Sequence, residues 1–240
     1  MMTTKQTYKT GLGTSDADSI TLLGHDLATE ILGKYSFGEL SYYLITKRRP
    51  TPGQLVMFEA VLASLADHGF TPTAIAARLT YASAPDSLQG ALAAGLLGGG
   101  SRFLGVTEDC AHFLARELKE IGVAPTSQDG WDAAALNAVQ KQKDNGKFVP
   151  GLGHPVHKQG DPRTPVLMAM AREQGLFGAH LSLFEAIGRV HSQVLGKTLP
   201  LNGAGVCGAV LADAGIPMGV MRGVALLARC AGLLGHLVEE

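Results

Sequence analysis

The residues best suited to chemistry lie in "KFVPGLGHPVHKQGDPRTP", positions 147–165, where Gly151, Gly153 and Gly160 are interleaved with Pro150, Pro155, Pro162 and Pro165 around His154. Gly151 and Gly153 bracket Leu152, so the backbone before His154 is free to adopt positive φ and to approach a ligand without side chains intervening. Pro155 biases His154 toward an extended conformation, because a residue preceding proline is pushed out of the helical region. The imidazole is thereby aimed from a stiff, non-helical loop. In "DPRTP" either Asp161 caps a helix with Pro162 just inside, or Thr164 caps it with Pro165 inside. Both registers put Arg163 at a helix N-terminus, where free N–H groups and the helix dipole favour an anion. Histidine, exposed amides and arginine together describe a site for a carboxylate-bearing substrate. The same residues also suit an ordinary Gly/Pro turn with a surface histidine.

The elements that must position this loop read as helices. "TSDADSITLLGHDLATEILG" opens with Ser and Asp caps and places Ile20, Leu23, Leu27 and Ile31 three or four apart, one helical stripe. "SFGELSYYLITKRRP" repeats the pattern with a basic last turn and a proline stop. "TPGQLVMFEAVLASLADHG" starts with Pro52 just inside a helix and ends with Gly69 after His68, so His68 falls on its C-terminal turn. "PDSLQGALAAGLLGGG" is a helix whose Ala and Gly allow close approach, breaking at Gly98, and "TEDCAHFLARELKEIG" is amphipathic. "VAPTSQDGWD" reads as a linker. Further helices are expected near 131–143, 166–174, 181–195 and 206–214, with a last one from Met218 onward. The class is all-α, about ten helices.

Composition narrows the function classes. Aromatic residues make up only 6% of the 240 residues and strand-forming runs are scarce, which favours close-packed helices. With a formal net charge of −1 and scattered Lys and Arg, the chain lacks the basic stripe that nucleic acid or an anionic membrane requires. Cys110, Cys207 and Cys230 form no CxxC pair, so neither a disulfide framework nor a zinc knuckle is suggested. The polar "MMTTKQTYKTGLG" has no apolar signal core, and no apolar run reaches the ~18 residues of a membrane span. A soluble protein of a reducing, cytoplasmic compartment is expected.

The residues then match a known family. "VPGLGHPVHKQGDPR" resembles the citrate synthase signature G-x-G-H followed by D-P-R, and "LNGAGVCGAVLADAGIPMGVMRGVALLARCAGLLGHLVEE" resembles the C-terminal segment of the same superfamily. "ITKRRPTPGQLVMFEAVL", "LASLADHGFTP" and "GLLGGGSRFLG" are similar to the citryl-CoA lyase module at the end of ATP-citrate lyase. The resemblance implies a large helical domain, 1–106 and 199–240, with a smaller helical domain, 107–198, hinged on it, and a homodimer. It implies chemistry that joins or cleaves a carbon–carbon bond between an acyl-CoA and a keto acid such as oxaloacetate.

By position, His68 in "ADHG" matches a histidine that binds the keto acid. His154 matches the one that holds or protonates its carbonyl or hydroxyl oxygen, and that would accept the hydroxyl proton on cleavage. Arg163 and Arg229 match the two arginines that clamp carboxylates, and Val149, Pro150, Gly151, Leu152 and Gly153 match the loop that receives the CoA adenine. Asn202 is placed with the substrate-binding residues, Phe103 beside the CoA, and Arg102 where CoA phosphates or a substrate carboxylate would lie. The coenzyme A thioester is substrate or product, and no metal is assigned, since the H-x-x-H of His154 and His157 on a Gly/Pro loop is weak metal evidence.

The sequence also departs from the pattern. Where citrate synthases carry a second catalytic histidine this chain has Phe103, as the lyase branch does. Both branches carry N-V-D, whose aspartate moves the proton on the acyl-CoA α-carbon; here the stretch is Asn202-Gly203-Ala204. Loss of a positioned acid or base costs about 10²–10⁴ in rate. Water, Cys207 or Asn202 are candidate substitutes. Pro155 replaces an arginine that often follows the loop histidine. Three readings follow: a citryl-CoA lyase, the same fold acting on another 3-hydroxyacyl-CoA, or a degenerate homologue that binds CoA or a carboxylate. His25, His112, His180 and His191 are read as packing or surface residues, His236 as structural, and Arg78 and Lys47 to Arg49 as solvated helix faces.

Overall fold

The computed structural model describes residues 10–240. The N-terminal stretch read for a signal core lies outside them as far as Lys9. By its internal contacts the chain divides into two units, the first ending at Thr51 and the second running from Pro52 to Glu240.

The first unit corrects one expectation. Residues 14–33 are not an amphipathic helix but a small antiparallel meander, β1 (Gly13–Ser15), β2 (Ile20–Leu22) and β3 (His25–Asp26), followed by a π-helical turn, Leu27–Ile31. Turn chemistry overrides the apolar spacing. The Asp16 carboxylate accepts from the Ser19 and Asp18 amides at 2.8 and 3.0 Å, closing the β1–β2 turn instead of capping a helix. Leu23 and Gly24 both take positive φ, 50° and 84°, the geometry of a two-residue hairpin turn. The register pairs Thr14 with Thr21, whose hydroxyls meet at 2.8 Å. Asp26 then caps the π turn by accepting from the Thr29 amide, while Glu30 accepts from the Asp26 amide. α1 (Phe37–Thr46) starts on the Ser36 hydroxyl and ends at Lys47 in the left-handed conformation. The basic run thus follows α1 rather than forming its face, and the Arg49 guanidinium sits 4.3 Å over the Tyr35 ring.

The second unit is helical throughout: α2 (Pro52–Ala66), α3 (Pro72–Ser83), α4 (Leu88–Leu97), α5 (Val106–Ile121), α6 (Gln128–Asp144), α7 (Arg163–Glu173), α8 (Ala179–Leu195), α9 (Gly203–Asp213) and α10 (Met221–Val238). Sequence signals account for the starts: Pro52 opens α2, Thr71 caps α3 ahead of Pro72, Ser127 caps α6 and Asn202 caps α9. The expected linker is shorter than read, because α6 already begins at Gln128.

α9 is the buried axis. It packs on α5, α8, α2 and α7, and its residues from Val206 to Leu211 are all buried. Glycine permits this: a Cβ on Gly208 would lie 2.2 Å from the Thr107 carbonyl oxygen of α5. α10 lies against α2, α4, α3 and α5. Met218–Val238 is long and apolar enough to cross a membrane by length and composition. Its Met221, Val224, Ala225, Leu233 and Leu237 are buried within the unit, as in the core helix of a globular domain. Arg78 is no solvated face: it pairs with Glu239 and Glu240 beyond α10 and covers the Phe70 ring.

Candidate functional site

The turn after α2, the loop before α7 and the starts of α7 and α9 converge on one cavity of about 740 Å³, within the range of small-molecule sites. Its wall contains His68, Arg102, Phe103, the loop from Val149 to Gly153, His154, Arg163, Asn202, Ala204 and Arg229. The residues singled out from sequence are thus brought together, from positions as distant as His68 and Arg229.

The loop is held by backbone. The Gly153 amide donates to the Pro200 carbonyl at 2.7 Å, the Asn202 amide donates to the Gly151 carbonyl at 2.9 Å, and Asn202 Nδ2 donates to the Gly153 carbonyl at 2.8 Å. Gly151 and Gly153 both have positive φ, 87° and 81°. They differ otherwise: a Cβ on Gly151 would strike the Phe184 ring at 2.5 Å, whereas nothing lies near a Cβ on Gly153. Gly151 serves packing; Gly153 leaves the open face. Asn202 is occupied at both ends, since its Oδ1 accepts from the Gly205 amide at 2.8 Å as the α9 cap.

His154 is fixed by its own loop. The amides of Val156 and His157 donate to its Nδ1 at 3.1 and 2.9 Å, so the neutral ring carries its proton on Nε2. In that tautomer Nε2 is a hydrogen-bond donor. His68 stands just beyond α2 rather than on its last turn. The turn is pinned by Asp67, which accepts from the Gly69 amide at 2.8 Å and meets His236 Nε2 at 2.9 Å. His236 is therefore a structural anchor of the site. Desolvation foremost lowers the pKa of both His154 and His68, although His68 is still exposed; Arg163 and His157 act further on His68, and His157 on His154. His157, weighed from sequence only as half of a weak metal motif, has its Nε2 3.2 Å from His68 Nε2.

The two arginines differ. Asp161, buried and read only as a possible helix cap, grips Arg163: its oxygens accept from Nε at 3.0 Å and Nη2 at 2.8 Å. It also accepts from the Arg163 and Gly203 amides at 3.1 and 2.7 Å, tying α7 to α9. Burial by itself would raise the Asp161 pKa, but the Arg163 bonds and the Gly203 amide outweigh it and hold the carboxyl far below its ordinary range. Arg163 Nη1 donates to the Ser64 carbonyl at 3.2 Å. Arg229 is 4% exposed and has only neutral partners, the Leu65 carbonyl at 3.3 Å and the Thr71 hydroxyl at 3.5 Å. No carboxylate among the described residues forms an ion pair with it; burial foremost lowers its pKa, the Asp67 charge opposes this, and Arg163 adds to it.

Two further expectations are settled by burial. Cys207 is fully buried against the Ser64 hydroxyl at 3.2 Å, outside the cavity wall, and burial pushes its thiol up to about 11; it is not placed to supply a proton. Ala204 does line the cavity, so the position that lacks the aspartate is a wall position. His68, His154 and His157 offer ring nitrogens within 4.8 Å of one another, a set able to hold a metal ion. The proton on His154 Nε2 and the guanidiniums of Arg163 and Arg229, close enough to act on His68, oppose a cation there.

A helical unit with such an arginine- and histidine-lined cavity matches known proteins. The sequence pattern described as "Citrate synthase, C-terminal domain" matches residues 13–240, and the chain belongs to this family. The citryl-CoA lyase of Hydrogenobacter thermophilus superposes with a TM-score of 0.85 at 31% identity, covering 98% of this chain and 87% of that one. The ATP citrate lyase of Methanothrix soehngenii, solved with citrate and coenzyme A, shares the fold at a TM-score of 0.80 and 22% identity, over 99% of this chain and 39% of that one. "Citrate synthase 2" of Bacillus subtilis is 25% identical over 86% of this chain. The chain spans about half the length of such curated citrate synthases, 52% and 50% for those of Bacillus subtilis and Deinococcus radiodurans.

Proposed function

We propose that the cavity takes an acyl-CoA together with a keto acid such as oxaloacetate and cleaves, or forms, the carbon–carbon bond between them, as a citryl-CoA lyase does. One observation carries this reading: Arg229 is a buried cation on the cavity wall with no carboxylate bonded to it among the described residues, the Asp67 charge acting on it only from a distance. A desolvated, unpaired charge costs several kcal/mol, and a ligand carboxylate offsets that cost with a charge-assisted, bidentate bond. Arg163, held by Asp161, completes the wall, and its charge still acts on His68. His154 Nε2–H donates to the oxygen that becomes the keto carbonyl, and His68 lies beside it. The open backbone at Gly153, the exposed Phe148 and Arg102 at the rim suit the adenine and phosphates of CoA. The large domain, 1–106 and 199–240, the hinged small domain, 107–198, the homodimer and the cytoplasmic setting belong to the same reading.

The test is turnover. A panel of citryl-CoA and related 3-hydroxy-3-carboxyacyl thioesters should release free keto acid, and His154→Ala should abolish release; no turnover with any of them contradicts the proposal. Ala204 favours a second reading, a different 3-hydroxyacyl-CoA substrate or a binding-only homologue. CoA that raises the melting temperature without measurable turnover supports the binding-only form.

A further inference from the structure

We infer that His68 and His157 form a proton-transfer pair that carries the hydroxyl proton of the substrate to the acyl-CoA α-carbon, the task left open at Ala204. The inference rests on the lyase reading above. The two Nε2 atoms lie 3.2 Å apart, and the rings are inclined by only 14° with centroids 5.3 Å apart. Rings so disposed meet end to end, not face to face, so the contact is a hydrogen bond aligned along both nitrogens. Such a bond between neutral imidazoles needs one Nε2–H and one Nε2 lone pair. The remaining two nitrogens are then fixed in complementary states: one Nδ1 is a lone pair and the other is an N–H. No protein group among the described residues engages either Nδ1. A neutral pair of this kind accepts a proton at one end and delivers one at the other, which is what an oxygen-to-carbon transfer requires. His154 cannot do this, because its Nδ1 is taken by two backbone amides.

The step balances without an outside acid. His68 lies on the side of Arg163 and Arg229, whose charges act on it, and so at the keto acid end. Its Nδ1 lone pair takes the hydroxyl proton, and the O–H electron pair becomes the second bond of the carbonyl. The C–C bond breaks and its electron pair passes to the thioester enolate. The Nε2 proton of His68 moves to His157 Nε2, and the Nδ1 proton of His157 passes to the enolate carbon. A keto acid and an acyl-CoA leave, and the pair is neutral again with both protons shifted along it. The reset is a tautomer exchange with water. His157 lies on the loop that also carries Val149 to Gly153, which the reading gives to CoA, and its ring centroid is 4.4 Å from that of His154.

The test joins a readout that needs no activity to one that does. In ¹⁵N-labelled protein, the His68 and His157 Nε2 signals should show one shared proton and titrate as a coupled pair. In His157→Asn the shared proton should vanish and His68 should titrate alone. With a thioester that the wild type cleaves, His157→Ala should lower kcat about 10²–10⁴-fold with KM little changed, and added imidazole should restore part of it. Independent titration of the two histidines overturns the pair, whatever the substrate. A coupled pair with kcat unchanged in both variants overturns the transfer role while leaving the lyase reading standing. A coupled pair in a wild type that cleaves no thioester overturns the lyase reading and the transfer together.

Discussion

Arg163 and Arg229 face one cavity, but the fold treats them in opposite ways. Arg163 enters from the start of α7 already matched: Asp161 two residues earlier takes its Nε and Nη2, and Ser64 takes its Nη1. Arg229 enters from the middle of α10 and, among the described residues, is bonded to a carbonyl and a hydroxyl but to no carboxylate. One guanidinium is bound to its own carboxylate before any ligand arrives, while the other has no carboxylate bonded to it and feels the Asp67 charge only from a distance, which under the proposed function makes it the receptor. An arginine motif therefore does not fix a role. The position of the nearest carboxylate does.

The largest effect that would break this comparison comes from Asp161→Asn. It leaves Arg163 unmatched and turns an amide N–H toward either the Gly203 amide or a guanidinium. Breaking a buried pair costs about 3–5 kcal/mol, so chemical denaturation should show a loss of that order. The double variant Asp161→Asn with Arg163→Met should recover much of it. Equal stability of Asp161→Asn and wild type would erase the distinction between the arginines.

Arg229→Met is the complementary change. It removes an unpaired buried charge, so the ligand-free protein should unfold at about the same denaturant concentration as wild type or slightly higher. Its affinity for a keto dicarboxylate should fall by about 2–5 kcal/mol, read as the loss of ligand-induced stabilisation.

A smaller effect concerns pH. His68 and His154 are held below the ordinary imidazole value of 6.5, first by burial and then by neighbouring charges. The unfolded chain therefore binds more protons below about 6.5, and stability falls as pH drops through that value, the penalty being absent above it. Melting temperatures from pH 8 down to 5.5 should decline less steeply in His154→Gln than in wild type. Because Arg163 and Arg229 help depress His68, a bound dicarboxylate that neutralises Arg229 should flatten the decline further.

Sequence legibility followed the same division between local and distant causes. Pro52 acts on its own next turn, and the helix it opens is readable from it; Thr71, Ser127 and Asn202 are equally local caps, yet α3 is absent from the expected helices, Ser127 lies in the stretch read as a linker, and Asn202 is read for the substrate. The loop around His154 was readable because glycine and proline restrict their own dihedrals. The segment 14–33 misled because Ile20, Leu23, Leu27 and Ile31 imitate a helical stripe, while Asp16 and Gly24 set turns that break it. The pairing of His68 with His157, and the fourth bond of Asp161 to the Gly203 amide, join positions far apart in the chain. Only the packing of α2, α7 and α9 creates them. Whether an arginine is bonded to a carboxylate was likewise hidden, because in Arg229 that depends on helices far apart in the chain.

The most direct test of the receptor assignment is a calorimetric titration of oxaloacetate into the wild-type protein and into Arg229→Met at the same pH and salt. One-to-one binding by wild type, weakened at least about 30-fold in the variant, is the predicted result. Equal affinity in the two proteins, or no binding by wild type, would contradict it.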